Sequence, residues 1–247
     1  MSTQTAIRGE YARLSPEPFE AQFLGGPVFR LMLAGPGPEA RQIRAALKQA
    51  RAAKARLVSC RVPQDWTEAA KLLEACGFRK TETLVTFGRH GLPVPECPLP
   101  WAVATTGDAT ACAEIGRTAF TFDRFHADPS IPDSVADAIK EAWVLNAFHG
   151  RADTIFVVRE HGVAMGFNLC LFKEGTAVID LIAVAPEAQG RGVGRSLVVA
   201  ALAHYRGRAQ GMRAGTQADN HASIALYKGL GFKELNGQHT FHWTAGL

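Results

Sequence analysis

The chain has 247 residues, 47% of them hydrophobic and 20% charged, and 27 Lys and Arg against 23 Asp and Glu leave a net charge of +4. That is an ordinary globular composition, long enough for one large or two small cores. The mild positive excess suits an anionic ligand, but the basic residues are scattered, which argues against a nucleic-acid face.

Taken in chain order, the first twenty residues (MSTQTAIRGEYARLSPEPFE) lack an apolar signal core, and nowhere do eighteen apolar residues run together. A cytoplasmic protein that does not enter a membrane is the expectation. "PVFRLML" (27–33) reads as a strand and "PEARQIRAALKQARAAK" (38–54), with apolar residues at helical spacing, as a helix. "ARLVSCRV" (55–62) is a strand, "DWTEAAKLLEAC" (65–76) a helix stopped by Gly77, and "FRKTETLVTFGR" (78–89) a long alternating strand.

Four prolines then fall in eight residues, within "HGLPVPECPLPW" (90–101). Proline removes backbone donors and restricts the residue before it, so an extended linker is expected at 91–100. The expected division is a first domain over 1–90 and a second over 101–247.

The second part opens with a short strand at 101–106, a helix at 107–119, the loop "TFDRFHADPSIP" (121–132) and a helix at 133–149 with Gly150 at C′. Strands at 154–160, 162–172 and 176–184 read as a meander. After the loop "VAPEAQGRGVGRSL" (184–197) come a helix at 194–209, a strand at 212–217, a helix at 220–230, and strands at 232–235 and 239–244. Both parts are therefore α/β, with a mixed sheet expected in the second. His239 and His242 read as a surface pair on one side of the last strand. Five widely spaced cysteines with no CxxC pair indicate neither a zinc site nor a disulfide framework, and no metal is expected.

The glycine loop carries the chemistry. Counted from Gly190, Arg195 stands where a Walker A loop or a GxGxxG fingerprint needs glycine, so neither nucleotide signature fits. What remains is Gln189-x-x-Gly192-x-Gly194 between a strand and a helix start. Such a start leaves amides free, adds the positive end of the helix dipole, and lets the backbone approach an anion without a Cβ in the way. Arg191 and Arg195 add charge at the rim. A turn of no function, with solvated arginines, is the other reading of the same residues.

The loop Val184-Ala185-Pro186-Glu187-Ala188-Gln189-Gly190-Arg191-Gly192-Val193-Gly194 resembles the acyl-CoA-binding motif of the GNAT superfamily of N-acetyltransferases. The run Asn220-His221-Ala222-Ser223-Ile224-Ala225-Leu226-Tyr227-Lys228-Gly229-Leu230-Gly231-Phe232 resembles that superfamily's Asn-helix-Tyr-"GF" motif. The resemblance covers 101–244 and implies the GNAT fold, acetyl-CoA as cofactor and a homodimer. It implies pyrophosphate binding by Gln189, Gly190, Arg191, Gly192, Val193, Gly194 and Arg195. It also implies pantetheine beside Ile182, Ala183 and Val184, with Asn220 on the pantetheine arm.

When an amine attacks a thioester, a thiolate leaves, and a phenol with an ordinary pKa of roughly 10 can hand it a proton. Tyr227 is the candidate acid, against a buried tyrosine of the core. The amine needs a base or a water chain, and Asp180, interrupting "VIDLIAV" on the face of Ile182 and Val184, is the candidate, against an ion-paired structural aspartate. No cysteine falls in either motif, so direct transfer without an acyl-enzyme is expected.

"FTFDRFHADPSI" (120–131) resembles the TDP-fucosamine acetyltransferases, which implies a nucleotide-linked amino sugar as acceptor. In those proteins a partial GNAT-like domain precedes the catalytic one, and "AAKLLEACGFRKTETLVTF" (69–87) echoes its helix-"GF"-strand unit without a glycine loop. Arg124, Phe125, His126 and Asp128 are the candidate acceptor contacts, against a tight loop with Asp128-Pro129 as turn chemistry. A protein N-terminus, a lysine or another small amine is the rival acceptor, and a non-catalytic acyl-CoA-binding module the rival class.

Overall fold

A computed structural model of the chain describes residues 11–91 and 93–245. Half of the N-terminal stretch read as lacking a signal core lies outside the described residues. The elements are strand β1 (Ala12–Pro16), helix α1 (Pro18–Ala21), β2 (Val28–Leu33), α2 (Ala40–Ala52), β3 (Leu57–Pro63), α3 (Thr67–Ala75) and β4 (Arg79–His90). They continue with β5 (Ala102–Val103), α4 (Ala109–Thr118), α5 (Asp133–Asn146), β6 (Thr154–Glu160), β7 (Val163–Lys173), β8 (Thr176–Val184), α6 (Val193–Tyr205), β9 (Gly211–Gln217), α7 (His221–Gly229) and β10 (Lys233–Thr244). Among the described residues no helix is long and apolar enough to cross a membrane.

The chain forms two compact units. The first holds the described residues up to Thr83, Ala127–Ile131 and those from Gly237 onward; the second holds Leu84–His126 and Pro132–Asn236. These boundaries differ from the expected ones at 90 and 101. The reason is β10, expected as two short strands and found as one. It pairs antiparallel with β3, from Gln238 opposite Pro63 to Thr244 opposite Leu57. Closing a long loop costs only logarithmically more than a short one, so distance along the chain does not forbid the pairing.

In the first unit β1 and β2 pair antiparallel and β2 and β3 parallel. Helix α2 opens with a capping box, in which the Glu39 amide donates to Gln42 Oε1 at 2.9 Å. It buries Ile43, Ala46, Leu47 and Ala50, one stripe at helical spacing. That stripe packs with Leu31, Val58, Leu73, Phe241 and Trp243.

The second unit is a mixed sheet in the order β4–β9–β8–β7–β6–β5, in which only β8 and β9 run parallel. The expected meander of β6, β7 and β8 is present. Helix α6 is apolar nearly all round and lies in the core of this unit, burying Val193, Leu197, Val198, Ala200 and Ala201. It ends four residues sooner than expected, because Arg206 turns extended (ψ 124°) and Gly207 left-handed (φ +74°). Gly166 lets α6 approach β7: a Cβ there would lie 2.8 Å from the Ala183 carbonyl oxygen and 2.9 Å from Val193 Cγ1. The proline-rich segment forms no element, and it is fastened to this unit. The Leu99 amide donates to Ser196 Oγ at 3.0 Å, and Val94 and Leu99 pack on the core.

Candidate active site

Strands β8 and β9 pair only from Thr176 opposite Gly211 to Ile179 opposite Ala214. Beyond that point β8 keeps its ladder with β7 as far as Val184 opposite Gly166, and β9 keeps its ladder with β4 as far as Gln217 opposite Leu84. The two strands part at Asp180. On β7, Cys170 opposes Ile179 and Leu169 opposes Leu181, so Asp180 is the extra residue of a β-bulge. A bulge bends and twists its strand, which accounts for the separation. One side of the backbone from Asp180 to Val184 is thereby left without a strand partner, a row of amides and carbonyls ready to pair with an extended amide-bearing chain.

This open edge leads directly into the glycine loop. Ala185-Pro186 starts a single 3₁₀ turn over Pro186–Ala188, after which Gly190 (φ +75°) and Gly192 (φ +85°) take left-handed conformations that side chains disfavour. Gly192 is the N-cap of α6. The amides of Val193, Gly194 and Arg195 begin that helix and have no carbonyl of a preceding turn to bind. A Cβ at Gly190 would meet nothing within 4 Å, whereas one at Gly192 would lie 3.4 Å from Pro98 Cγ.

The side chains are arranged around the turn. Val193 is buried, so only its backbone is available, and buried Ala183 turns its carbonyl toward Gly166 on β7. Gln189 Nε2 reaches back to the Val184 carbonyl at 3.3 Å. Arg191 is ion-paired with Glu160 and donates from Nη1 to its Oε2 at 3.2 Å, so its charge is partly neutralised from within the unit. Arg195 on the first turn of α6 is half-buried.

Asp180 accepts from Arg151 Nη1 at 2.6 Å and from Trp143 Nε1 at 3.3 Å, and the Arg151 guanidinium lies over the Trp143 ring. It is an ion-paired carboxylate at the head of the open edge. Asn220 accepts the Ser223 amide at 3.0 Å and so caps α7. Tyr227 is buried against Phe87 and Phe232, with ring centroids at 5.8 and 5.5 Å. Burial pushes its phenol well above the ordinary value, so the hydroxyl keeps its proton. Burial likewise raises the Cys170 thiol, and all five cysteines are free. Asn168 was not foreseen as part of this region. Fully buried on β7 opposite Ile182, it donates to the Leu197 carbonyl at 3.0 Å and locks strand to helix. Its signal was the single polar residue inside "GFNLCLF".

The four expected acceptor contacts do not act as a set. Asp128 belongs to the first unit and has no exposed surface. Its Oδ1 receives Arg79 Nη2 at 2.7 Å and Ser130 Oγ at 2.6 Å, and its Oδ2 pairs with His242 Nδ1 at 2.9 Å. Burial opposes the charge, yet the hydrogen bonds from His242 and Ser130 hold the carboxyl far below the carboxylate range. Phe125 is 1% exposed, under the Arg124 guanidinium at 4.4 Å from its ring centre. Neither Asp128 nor Phe125 has surface with which to meet an acceptor, because the loop spends them on its own anchoring. His126 sits between two carboxylates, with Nδ1 at 2.6 Å from Asp123 Oδ2 and Nε2 at 3.1 Å from Asp137 Oδ1. Arg124 is half-buried at the second unit's end of the loop. The expected surface pair fails too. His239 and His242 are three residues apart on an extended strand and face opposite sides, His242 wholly buried.

Part of the sequence matches a known family. Residues 117–232 match the model of the acetyltransferase (GNAT) family. That stretch, a little under half of the chain, is similar to the acetyltransferases of this family. It is 28% identical over 137 residues to the spore coat polysaccharide biosynthesis protein SpsD of Bacillus subtilis, which covers 55% of this chain and 47% of that protein. It is 30% identical over 175 residues to a mycothiol acetyltransferase of Saccharopolyspora erythraea, covering 66% of this chain and 55% of that one. The chain thus spans about half the length of these two curated relatives. Among solved structures, a GCN5-related N-acetyltransferase from Sphaerobacter thermophilus superposes with a TM-score of 0.66 at 17% identity, over 96% of this chain and 78% of that one. The mixed α/β architecture of the chain is that of this structural neighbour.

Proposed function

We propose that the chain is an N-acetyltransferase that moves an acetyl group from acetyl-CoA directly onto a primary amine. The observation that carries this reading is the parting of β8 from β9 at the Asp180 bulge, immediately before the glycine turn. Together they provide an edge for an amide-bearing arm and a cluster of amides for its phosphates.

The residues fit that carrier on their own chemistry. The amides of Val193, Gly194 and Arg195, without intrahelical partners at the positive end of α6, are the groups that would stabilise a pyrophosphate over the Gln189–Arg195 turn. Ile182 and Val184 offer backbone groups to the pantetheine arm, Ala183 between them pairs with β7, and by the resemblance Asn220 contacts the same arm. When bound, acetyl-CoA supplies the activated acetyl group. Tyr227 then holds a proton at Oη for the departing sulfur, a role suited to a phenol that burial keeps protonated. Asp180, held by Arg151 and Trp143, draws the incoming amine to the head of the edge and receives its proton directly or through water. Cysteine takes no covalent part: the thiol nearest to these groups, Cys170, is held neutral by burial.

The preferred acceptor is an amino sugar carried on a nucleotide. The loop resemblance and the polysaccharide-biosynthesis name of the B. subtilis relative support it. The mycothiol acetyltransferase relative favours a second reading, a different small amine. By the same resemblance the enzyme works as a homodimer, and residues 1–90, whose helix-"GF"-strand unit lacks the glycine loop, are expected to bind no cofactor; a cytoplasmic location is read from the sequence composition. A thiol-release assay with acetyl-CoA against nucleotide amino sugars, free amino sugars, other small amines and peptides decides among them. Release with a nucleotide amino sugar alone supports the first reading. Calorimetry showing no heat with acetyl-CoA at sub-millimolar concentration removes the function altogether.

A further inference from the structure

Asp180 is held by one oxygen only. Arg151 Nη1 at 2.6 Å and Trp143 Nε1 at 3.3 Å both donate to its Oδ2, and among the described residues nothing donates to Oδ1. The two donors come from adjoining pieces of chain. Trp143 lies in the last turn of α5, and Arg151 closes the turn Ala147–Arg151 that follows it, where Gly150 is left-handed (φ +100°). Arg151 is exposed, and its partners among the described residues are Asp180 and the Trp143 ring, whose centre is 5.3 Å from the guanidinium carbon. An exposed arginine–carboxylate pair is worth little by itself, because a long side chain gives up its freedom for one contact. A ring against the guanidinium adds attraction and restricts that side chain, and arginine's flat group suits such stacking. The ring is itself anchored. Lys140, three residues earlier on the same face of α5 and buried, has its Nζ 5.1 Å from the ring centres of both Trp143 and Phe120 and 3.6 Å from Asp123 Oδ2.

We infer that Trp143 is a positioning residue for Asp180: its indole is the platform that keeps Arg151 across Oδ2, so that Oδ1 is the oxygen that takes the amine's proton. The inference rests on the reading of Asp180 as the base. As the amide bond forms and the thioester C–S bond breaks, Oδ1 accepts the proton that the nitrogen gives up, and Tyr227 supplies the one that the sulfur receives. An aspartate carboxylate turns easily about its last torsion, which spreads its two oxygens over many directions. Clamped at Oδ2, it presents Oδ1 in one direction, and a fixed direction is what proton transfer within a bound complex needs.

The test compares the wild-type protein with Trp143→Phe, which keeps a ring but removes the N–H and narrows the platform, using an acceptor that the wild type turns over. Trp143→Phe is expected to lower kcat by about 10–100-fold, as displacement of a reacting group does, and to leave KM for the amine and acetyl-CoA affinity within about twofold. In an Asp180→Asn background the same change is expected to cost nothing further, because the group it positions is gone. Arg151→Gln is expected to behave alike in both backgrounds, and at an exposed position it serves if Trp143→Phe fails to fold. Losses that add in the Asp180→Asn background mark a merely structural ring and overturn the inference. A second readout needs no turnover. The chain has four tryptophans, and the Trp143 indole N–H signal in NMR, assigned by its loss in Trp143→Phe, is expected to shift in Asp180→Asn and in Arg151→Gln. A signal that neither variant moves overturns the inference even where kcat falls. Full kcat in Asp180→Asn removes the base and this inference together while the transferase stands. If no acceptor is turned over, the transferase reading fails and takes the role of Trp143 with it, though a shifted indole signal would still show the contact with Asp180.

Discussion

At the scale of single residues, burial assigns roles that residue type leaves open. Tyr227 was legible as an acid or a core tyrosine, and it is buried like a core residue while its protonated phenol suits the acid. Tyr227→Phe is expected to lower kcat by about 10²–10⁴-fold, the usual worth of a positioned proton donor, and to leave acetyl-CoA affinity in calorimetry nearly unchanged. Equal losses in both would remove the assignment. His126 was read as an acceptor contact and instead bridges Asp123 and Asp137. Its hydrogen bond to Asp123 raises its pKa above the usual histidine value; burial opposes this. Burial pushes Asp123 up, but the bond from His126 and the charge of Lys140 bring it down to about 2. A raised histidine stabilises the fold below its unfolded pKa of roughly 6.5 and loses that contribution as pH climbs through the folded value. The lowered aspartate stabilises above roughly pH 3.9 and fails only in acid. His126→Gln should therefore lower Tm more at about pH 5.5 than at about pH 9, read by thermal unfolding at both. A pH-independent difference would mean the imidazole packs there uncharged.

At the scale of elements, backbone conformation and close approach set what a sequence can do. The strand–turn–helix unit around the loop was legible because glycine at three positions in five has few uses other than left-handed turns and tight contacts. Gly192, at φ +85° and with a Cβ position only 3.4 Å from Pro98 Cγ, should not tolerate a side chain. Gly192→Ala is expected to cost about 1–2 kcal/mol in urea unfolding, the left-handed penalty, and to weaken acetyl-CoA binding as the turn shifts. Unchanged stability and binding would show that the turn relaxes freely. The bulge at Asp180 was not legible. Alternation in "TAVIDLIAV" continues straight through it, and only the register against β7 exposes the extra residue.

For the molecule as a whole, the order of elements was legible and their grouping was not. Each unit has its own apolar cluster, and the first is completed by residues from the end of the chain, Phe241 and Trp243. Phe241→Ala is expected to destabilise the first unit by about 3–5 kcal/mol. In hydrogen exchange it should lower the protection of amides in β3 while those of α6 in the second unit keep theirs. Equal loss in both units would show one cooperative core in place of two.

By itself the sequence determined the succession of strands and helices, the mixed α/β class and the glycine turn at a helix start, because these follow from local periodicity and from glycine's backbone freedom. The tertiary structure alone decided that the last strand closes the first sheet, that Asp180 answers to Arg151, and that Asp128 is consumed by Arg79 and His242. Those outcomes depend on which distant residues share a strand ladder or a buried space, and periodicity along the chain carries no record of such partners.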